Sequence, residues 1–386
     1  MDKITELLTR GVANIIPGKA ELEQLFRSGR KLNVYCGFDV TAPQLHIGNT
    51  VPMRKLQAFV DLGHNVTFLI GDFTTLVGDT SDKDTERPVV AEEDIDRNWH
   101  HFARQAGKIL DLTKVDIRRN SEWLDQLSSR EIVKLMRRFS LNDFISRELI
   151  KKRLTSGGSV NLAESFYPVL QGYDSYHMDT DVQVGATDQT FNMQAGRQLQ
   201  KQLRTKESFV VSFEFLMGTD GRKMSKSWSN AIWLDDEPAD MYGKIMALHD
   251  DLISQYFLLA TNLPEAKIQD LTSSISNPMD LKKKLAHQIV SELHSASDAT
   301  AAQTHFESVI QQGQNPTDIP EIKVKSTKII DVLVESGLSS SKSDARRLID
   351  QGGVEFEKTK VNSSQFSITN PGVLRVGRRF AKILVS

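Results

Sequence analysis

The stretch at 35–49, YCGFDVTAPQLHIGN, combines residue types that could hold a ligand at the edge of a sheet. A strand is predicted to end within it and a helix to begin at His46, and open parallel sheets bind ligands beyond the carboxyl ends of their strands. His46 and Asn49 are three residues apart and share a face of the first helical turn, while Gly48 lets a bulky ligand approach the backbone. The structural alternative is a capped helix start with a packed histidine.

A second stretch, GRKMSKSWSN at 221–230, is a cationic loop. Lys223 and Lys226 are three residues apart among small hydroxyl residues, which suits a triphosphate whose charge moves as it reacts. The stretch lacks the Gly-x-x-x-x-Gly-Lys-Ser/Thr pattern of a P-loop. The alternative interpretation is a solvated run of surface charge.

The elements that must position these residues alternate between strand and helix. Short apolar runs predict strands and longer amphipathic runs predict helices. The predicted strands are 32–38, 66–70, 115–118 and 209–213, and the predicted helices are 46–62 and 91–110. This alternation predicts an α/β fold with a doubly wound, Rossmann-like parallel sheet. From 236 to 310 the pattern is almost purely helical.

Composition excludes several classes of protein. With 386 residues, 39% hydrophobic and 25% charged, the chain is long enough for two or three domains. The formal charge of −2 excludes a disordered polybasic protein. A single cysteine, Cys36, excludes a disulfide framework and a cysteine-rich zinc site, and we predict no structural metal. Because we find neither a membrane-length apolar run nor a targeting sequence, we predict a cytoplasmic protein.

The C-terminal region differs from the rest in charge. Residues 323–386 contain twelve Lys and Arg against six Asp and Glu, a local net charge of +6, which leaves −8 for the rest of the chain. The preceding segment, 311–326, is rich in Gln, Pro and Gly, so we predict a linker there. A basic module on an acidic body favours a polyanionic partner.

Within this module we predict a small α+β domain. A first helix includes Ile330 and Leu333, a second spans 342–350, and a glycine turn leads into a strand at 354–356. The second helix carries a basic stripe that suits a phosphate backbone. Its residues are Lys342, Arg346 and Arg347. The alternative is a helix with ordinary surface arginines.

Together the two chemistry-bearing stretches resemble the paired signatures of class I aminoacyl-tRNA synthetases. Lys-Met-Ser-Lys-Ser matches the second signature letter for letter, whereas Asn49 replaces the usual second histidine of the first. Four further patterns resemble the bacterial-type tyrosyl-tRNA synthetases, and this resemblance extends from about Tyr35 to the C-terminus. They are YCGFD at 35–39, Gly-Asp with a downstream Lys and Arg at 78–87, YPVLQGYD at 167–174 and GATDQ at 185–189.

The resemblance implies a pocket that recognises a phenol. Tyr35 and Asp174 would pair with the hydroxyl group, since buried polar groups left unpaired by a phenyl ring reject it. Tyr167, Gln171 and Asp174 follow i, i+4 and i+7 spacing and so share a helical face, which an ordinary core would not contain. The implied tyrosine-binding residues are Tyr35, Thr74, Asp79, Tyr167, Gln171, Asp174 and Gln189.

The resemblance also implies sites for ATP and for catalysis. The implied ATP- and adenylate-binding residues are Cys36, Gly37, Asp39, His46, Gly48, Asn49, Gly185, Asp188, Gln189 and Lys226. The implied catalytic residues are His46, Asn49, Lys83, Arg87, Lys223 and Lys226. Ala186 stands where the family usually has a second glycine.

The implied reaction is attack of the tyrosine carboxylate on the α-phosphorus of ATP, followed by acyl transfer to tRNA(Tyr). Positioning and electrostatic stabilisation would suffice without a protein nucleophile, and Mg²⁺ would accompany ATP as the substrate complex. The family implies a homodimer formed through an insertion at about 120–160, with 132–149 as its main contributor. The implied domains are catalytic at 1–235, helical on the anticodon side at 236–318, and RNA-binding at 323–386, resembling a ribosomal small-subunit protein.

Two alternatives remain at this point. A related enzyme could activate tryptophan, although an indole offers no hydroxyl group to Asp174. A non-catalytic RNA-binding protein could use the same scaffold, and the replacement at Asn49 is the only feature that favours it.

Overall fold

The computed structural model describes residues 2–79, 90–224, 228–311, 319–377 and 379–385. The chain divides into two compact units, Met1–Thr300 and Ala301–Ser386. The strands of the first unit are β1 (Val12–Ile16), β2 (Asn33–Phe38), β3 (Asn65–Ile70), β4 (Val115–Arg119), β5 (Val182–Ala186) and β6 (Phe209–Phe213).

Helices flank this sheet and then make up the remainder of the first unit. Those up to β6 are α1 (Lys3–Leu7), α2 (Lys19–Arg27), α3 (Thr50–Asp61), α4 (Asp72–Val77), α5 (Glu92–Ala106), α6 (Ser121–Leu124), α7 (Ser129–Met136), α8 (Leu141–Ile145), α9 (Glu148–Thr155), α10 (Leu162–His177) and α11 (Thr190–Arg204). Those that follow are α12 (Pro238–Met246), α13 (Ile253–Ala260), α14 (Glu265–Ser274), α15 (Pro278–Leu293) and α16 (Ala296–His305).

The sheet of the first unit has the strand order β1-β6-β5-β2-β3-β4. All neighbours pair in parallel except the edge strand β1, which runs antiparallel to β6. The predicted doubly wound parallel sheet is therefore confirmed, with an antiparallel edge that the sequence patterns did not indicate. The order reverses direction between β2 and β5, which is where open sheets of this kind bind ligands.

The predicted elements agree closely with the structure. The four predicted strands are β2, β3, β4 and β6, each within one residue at either end. The predicted helix at 46–62 begins as a 3₁₀ turn, Ile47–Asn49, and continues as α3. The predicted helix at 91–110 ends earlier, at Ala106, because Gly107 has low helix propensity.

A buried ion pair joins the insertion after β4 to helix α10. Arg153 Nη1 of α9 lies 2.7 Å from Glu164 Oε2 of α10, and both side chains are almost fully buried. Asn161 caps the same helix end, since its side chain accepts from the Glu164 N–H. Removing either partner would leave an uncompensated buried charge and would destabilise the start of α10.

The second unit has its own core and a five-stranded sheet. Its elements are β7 (Glu321–Val324), α17 (Ile329–Glu335), α18 (Lys342–Asp350), β8 (Val354–Phe356), β9 (Thr359–Lys360), β10 (Gly372–Val376) and β11 (Arg379–Val385). The strand order is β7-β11-β10-β8-β9, and the core includes Ile329, Leu333 and Ile349. The predicted helix at 342–350 and the predicted strand at 354–356 are confirmed as α18 and β8.

One prediction for this region was wrong. The segment at 311–326, predicted as a linker, contains β7, and the predicted boundary at 323 falls inside that strand. β7 forms because it pairs in parallel with β11, with Ile322 opposite Ile383, and Val324 is buried. Tertiary pairing of this kind overrides a weak local pattern. Residues 312–318 lie outside the described residues.

Within the described ranges, no helix is both long and apolar enough to cross a membrane.

Candidate active site

A cavity of about 630 Å³ opens at the carboxyl edge of the first sheet. Strands β2 and β5 pair only as far as Tyr35 and Gln183, whereas β2 and β3 stay paired up to Phe38. The two central strands therefore separate beyond Tyr35, and the gap between them is the cavity.

A chain of hydrogen bonds crosses the floor of the cavity from Asp174 of α10. Asp174 Oδ1 accepts from Trp123 Nε1 at 2.8 Å, and its Oδ2 accepts from Asn120 Nδ2 at 3.2 Å. Asn120 Nδ2 also donates to Thr74 Oγ1 at 3.0 Å. The two oxygens of a carboxyl group, whether it is ionised or protonated, have more acceptor positions than these two donors fill. Asp174 can therefore accept from a further hydroxyl group in the cavity.

Burial governs the electrostatics of Asp174. Its side chain is 2% exposed, and burial raises its pKa to about 8 although the bonds from Trp123 and Asn120 lower it. Tyr35 lies in the same buried region, and its phenol donates to Gln183 Oε1 at 3.3 Å. Burial first, and then the charge of Asp174, raise the pKa of Tyr35 well above its usual value. Tyr35 therefore stays a neutral hydroxyl group.

The chain of hydrogen bonds continues from Thr74 to Asp39. Thr74 Oγ1 donates to Asp39 Oδ1 at 2.8 Å, and Tyr167 Oη donates to Asp39 Oδ2 at 3.1 Å. Sequence analysis assigned Asp39 to the nucleotide and the other two residues to tyrosine. The structure places the Asp39 carboxylate in contact with both members of the predicted tyrosine group, so it adjoins both predicted subsites.

Two buried polar atoms facing this region have no hydrogen-bond partner among the residues described. They are Gln171 Oε1 and His46 Nδ1, and both residues line the cavity. A buried group left unpaired costs about 1–3 kcal/mol, so each atom is suited to a partner that a ligand would bring. Burial, and then the charge of Lys223, lower the pKa of His46 to about 4, so its imidazole is neutral at pH 7.

Backbone pairing fixes the turn that carries His46 and Asn49. The Ile47 N–H donates to Ile232 O at 2.8 Å, and His46 forms an isolated β-bridge with Trp233. Asn49 Oδ1 accepts from the His46 N–H at 3.0 Å. This oxygen keeps one further acceptor position, and the NH₂ group of Asn49 can donate to a ligand.

Gly48 is needed for close packing within this turn. A Cβ atom at Gly48 would lie 3.0 Å from His46 Nδ1 and 3.5 Å from Met224 Sδ. Met224 belongs to the cationic loop, so the two signature stretches are neighbours in the fold. A side chain at Gly48 would push the imidazole or the loop out of place.

Salt bridges and hydrogen bonds gather the polar residues on the other side of the cavity. Lys223 Nζ lies 3.2 Å from Asp188 Oδ2, and Gln189 Nε2 donates to Asp79 Oδ2 at 2.7 Å. Lys223 Nζ also lies 4.6 Å from the ring centre of Phe215. The cationic loop is thus held against the 3₁₀ turn Thr187–Gln189 that follows β5.

The structure brings together the residues predicted for tyrosine binding, ATP binding and catalysis that it describes. All sixteen line the same cavity: Tyr35, Cys36, Gly37, Asp39, His46, Gly48, Asn49, Thr74, Asp79, Tyr167, Gln171, Asp174, Gly185, Asp188, Gln189 and Lys223. Lys83, Arg87 and Lys226 lie outside the described residues. The parts of the chain that are described contain no group of three or more His, Cys, Asp and Glu side chains placed to hold a metal ion.

Sequence reasoning missed two polar residues that line the floor, Asn120 and Gln183, and one that supports it from outside the lining, Trp123. Asn120 and Trp123 follow the end of β4, the position at which a ligand-binding residue is expected in such a sheet. Gln183 is a single polar residue between Val182 and Val184 in a buried strand. That isolated amide was a sufficient signal, because buried polar groups require partners.

The predicted RNA-binding residues lie on α18 of the second unit. Lys342, Arg346 and Arg347 are all exposed. Lys342 Nζ lies 2.8 Å from Asp331 Oδ1, and Arg347 Nη2 lies 2.6 Å from Asp344 Oδ1. Exposed ion pairs of this kind contribute little free energy, so Lys342 and Arg347 remain available to a stronger anionic partner.

Two family models match the chain. The family described as tRNA synthetases class I (W and Y) matches residues 27–311, and the tyrosine–tRNA ligase SYY-like C-terminal domain matches residues 310–378.

Curated relatives extend the likeness over the whole chain. A tyrosine–tRNA ligase of Dehalococcoides mccartyi is 37% identical, with 98% of this chain and 97% of the relative covered. Tyrosine–tRNA ligase 2 of Vibrio cholerae is 40% identical over the same shares of the two chains. A solved mitochondrial tyrosyl-tRNA synthetase of Coccidioides posadasii shares the fold at a TM-score of 0.66 and 23% identity, over 79% of this chain and 91% of that one. The chain therefore belongs to the class I tRNA synthetases of the tryptophan and tyrosine group, as a relative of the bacterial tyrosine–tRNA ligases.

Proposed function

We propose that the chain is a tyrosyl-tRNA synthetase, which activates L-tyrosine with ATP and then transfers the tyrosyl group to tRNA(Tyr). The observation that carries the amino-acid specificity is the buried Asp174, held by Trp123 and Asn120 at the floor of the cavity. Its remaining acceptor capacity suits a phenol and would be left unpaired by a phenyl or indole ring.

The amino group of tyrosine would bind nearer to Gln171. The unpartnered Oε1 of Gln171 can accept from an ammonium group, and Asp39 and Asp79 supply negative charge at the same cavity wall. Tyr167 would complete this subsite, since its hydroxyl group already contacts Asp39. Because the ammonium and the carboxylate share one Cα atom, binding the ammonium would orient the carboxylate for reaction.

ATP would bind across the His46 turn and the end of β5. The neutral imidazole of His46 and the NH₂ group of Asn49 can contact ribose and phosphate oxygens. Cys36, Gly37, Gly48 and Gly185 leave room for the nucleotide, and Asp188 with Gln189 can bind the ribose hydroxyls. Mg²⁺ would enter with ATP as part of the substrate.

The chemistry would be in-line displacement at the α-phosphorus. The tyrosine carboxylate oxygen forms a bond to phosphorus while the bond to pyrophosphate breaks, giving tyrosyl-adenylate. His46, Asn49, Lys223, Lys226, Lys83 and Arg87 are the groups assigned to the developing negative charge. Lys223 would exchange Asp188 for the pyrophosphate as charge accumulates there. The adenylate then yields its acyl group to a terminal ribose hydroxyl of the tRNA.

We further propose the assembly and location expected of such an enzyme. Five of the nine exposed large apolar side chains in the described residues lie within the insertion at about 120–160, and a sixth, Leu162, follows it directly, which supports a homodimer formed through this insertion. Lys342, Arg346 and Arg347 would bind the tRNA backbone. The catalytic, helical and RNA-binding division at 1–235, 236–318 and 323–386 and a cytoplasmic location remain part of this proposal.

Amino-acid-dependent exchange of pyrophosphate into ATP tests the activation step. Tyrosine, phenylalanine and tryptophan are compared at equal concentration with one preparation. Exchange with tyrosine alone supports the proposal, and exchange with tryptophan would overturn the specificity. A folded protein that binds RNA without any exchange would indicate the non-catalytic alternative.

A further inference from the structure

Trp228 is an exposed aromatic residue beside the active-site cavity. Its side chain is 49% exposed, and it is the only aromatic among the large apolar side chains found exposed in the described residues. Along the chain it lies close to Lys223 and Met224, which both line the cavity. The cavity lining does not include Trp228 itself, so it can act on a ligand only outside the pocket.

A hydrogen-bonded polar segment around Arg222 supports the indole. The guanidinium carbon of Arg222 lies 4.6 Å from the ring centre of Trp228. Arg222 Nε donates to Asp220 Oδ2 at 2.8 Å, and Asp220 Oδ1 accepts from Asn230 Nδ2 at 2.8 Å. Backbone bonds from Gly218 N–H to Arg222 O and from Thr219 N–H to Asn230 O tie the same segment together. These bonds hold Arg222, the residue that the ring packs against, in place before any ligand arrives, which lowers the entropic cost of binding.

An exposed indole that packs on one cation and lies close to another suits an unpaired nucleotide. Bases of single-stranded RNA stack on aromatic rings, and neighbouring Arg and Lys side chains bind the phosphates. Arg222 and Lys223 are 57% and 43% exposed in their side chains, so both cations can contact a passing strand. If the proposed function holds, the acceptor end of the tRNA must enter the cavity that Lys223 and Met224 line, which brings it near Trp228.

We propose that Trp228, supported by Arg222, is a stacking platform for an unpaired base near the 3′ end of the tRNA. The inference rests on the proposed function for the identity of the RNA. It assigns to Trp228 a part in the transfer step and not in tyrosine activation. The competing interpretation is a purely structural contact that closes the loop.

The test separates the two steps in Trp228→Ala, Trp228→Phe and a matched exposed control, Met279→Ala on α15. In Trp228→Ala, kcat/KM for tRNA should fall by roughly tenfold, while pyrophosphate exchange changes less than twofold. Trp228→Phe should recover most of the loss, and Met279→Ala should match the parent. Equal losses in exchange and transfer would overturn the proposal, as would an unchanged kcat/KM for tRNA.

A binding cycle locates the contact on the RNA. Dissociation constants are measured without amino acid or ATP for intact tRNA(Tyr) and for the same tRNA lacking its unpaired 3′ nucleotides. Trp228→Ala should raise the dissociation constant for intact tRNA and leave the dissociation constant for the shortened tRNA unchanged. An equal rise in the dissociation constants of the intact and the shortened tRNA would refute the proposed contact. Because the cycle needs no catalysis, failed activation by the parent enzyme would count against the proposed function alone.

Discussion

Tyr35 and Gln183 face each other across β2 and β5 as the last register pair before these strands separate, and the Tyr35 hydroxyl donates to Gln183 Oε1 at 3.3 Å. Gln183 also donates a hydrogen bond from its Nε2 to Met193 O at 2.9 Å. The amide is thereby fixed in orientation, and it fixes the phenol in turn. The point at which the strands separate and the cavity begins therefore carries a hydroxyl group.

Replacing Tyr35 by Phe should weaken tyrosine binding without disturbing the fold. The variant loses one neutral hydrogen bond to the substrate hydroxyl, worth about 0.5–1.5 kcal/mol, so KM for tyrosine should rise by roughly 3- to 10-fold. The rate of adenylate formation at saturating tyrosine should stay near that of the parent. Steady-state pyrophosphate exchange measures both quantities.

Tyr242→Phe is the matched control for this change. Tyr242 is fully buried in α12, and its hydroxyl lies 3.5 Å from Lys283 O, away from the cavity lining. Its KM for tyrosine should equal that of the parent. If both variants raise KM by the same factor, the effect arises from loss of packing and the assignment of Tyr35 is wrong.

Asp174→Asn should change the pH dependence of stability. The buried Asp174 keeps its proton up to about pH 8 in the folded chain, whereas an unfolded chain releases it near pH 4. Between these values the unfolded state binds fewer protons, so the free energy of unfolding of the parent falls as pH rises. Asparagine has no such proton. The difference in unfolding free energy, variant minus parent, should therefore increase between pH 4 and pH 8, at most by about 1.4 kcal/mol per pH unit.

Urea titrations at pH 5, 6.5 and 8 measure this difference, and pyrophosphate exchange on the same samples measures function. Exchange with tyrosine should be lost or require much more tyrosine, because the amide NH₂ cannot accept from the phenol. A difference that stays constant over the three pH values would contradict a buried, high-pKa carboxyl group. Unchanged tyrosine activation would contradict its role in recognition.

Sequence patterns were sufficient to predict the sheet and most of the site, because these features depend on residues that are close together in the chain. Strand β3 is almost continuously apolar and buried, and His46 with Asn49 follows directly from one strand–turn–helix step. The tyrosine-site residues of α10 share a face through helical spacing alone. Such features can be read one element at a time.

The residues that were missed depend on contacts distant in sequence. Asn120 lies 54 residues from Asp174, and their pairing depends on how β4 and α10 pack. Strand β7 has a weak pattern of its own and is formed by pairing with β11, some sixty residues later. The dual contact of Asp39 with Thr74 and Tyr167 likewise required the assembled sheet.

Lys223→Ala should slow adenylate formation far more than it weakens tyrosine binding. Lys223 pairs with Asp188 in the free cavity and would turn to pyrophosphate as charge develops, so its loss removes an interaction made mainly in the transition state. We expect a decrease of roughly 100-fold in the rate of exchange. The dissociation constant for tyrosine should change less than about twofold. Lys226→Ala should behave in the same way.

Lys267→Ala is a suitable control for the loss of a lysine. Lys267 pairs with Asp270 on the exposed surface of α14, 3.0 Å apart, and its removal should leave exchange unchanged. Equal losses of rate and tyrosine affinity in Lys223→Ala would mean that the loop supports the ground state and not the transition state.

Leu141→Lys should convert the proposed homodimer into a monomer. Leu141 is 62% exposed in α8, and Val133, Leu154 and Leu162 nearby along the insertion are exposed by 56%, 47% and 76%. A charge buried at the centre of an apolar interface lacks a partner, which opposes association. Sedimentation velocity at micromolar concentration should give two chains per particle for the parent and one for the variant.

Met279→Lys, which adds a charge at an exposed apolar residue of α15, should remain dimeric. A monomeric parent would mean that the proposed homodimer does not form. Dissociation of both variants alike would mean that the dimer contact is not specific to the insertion.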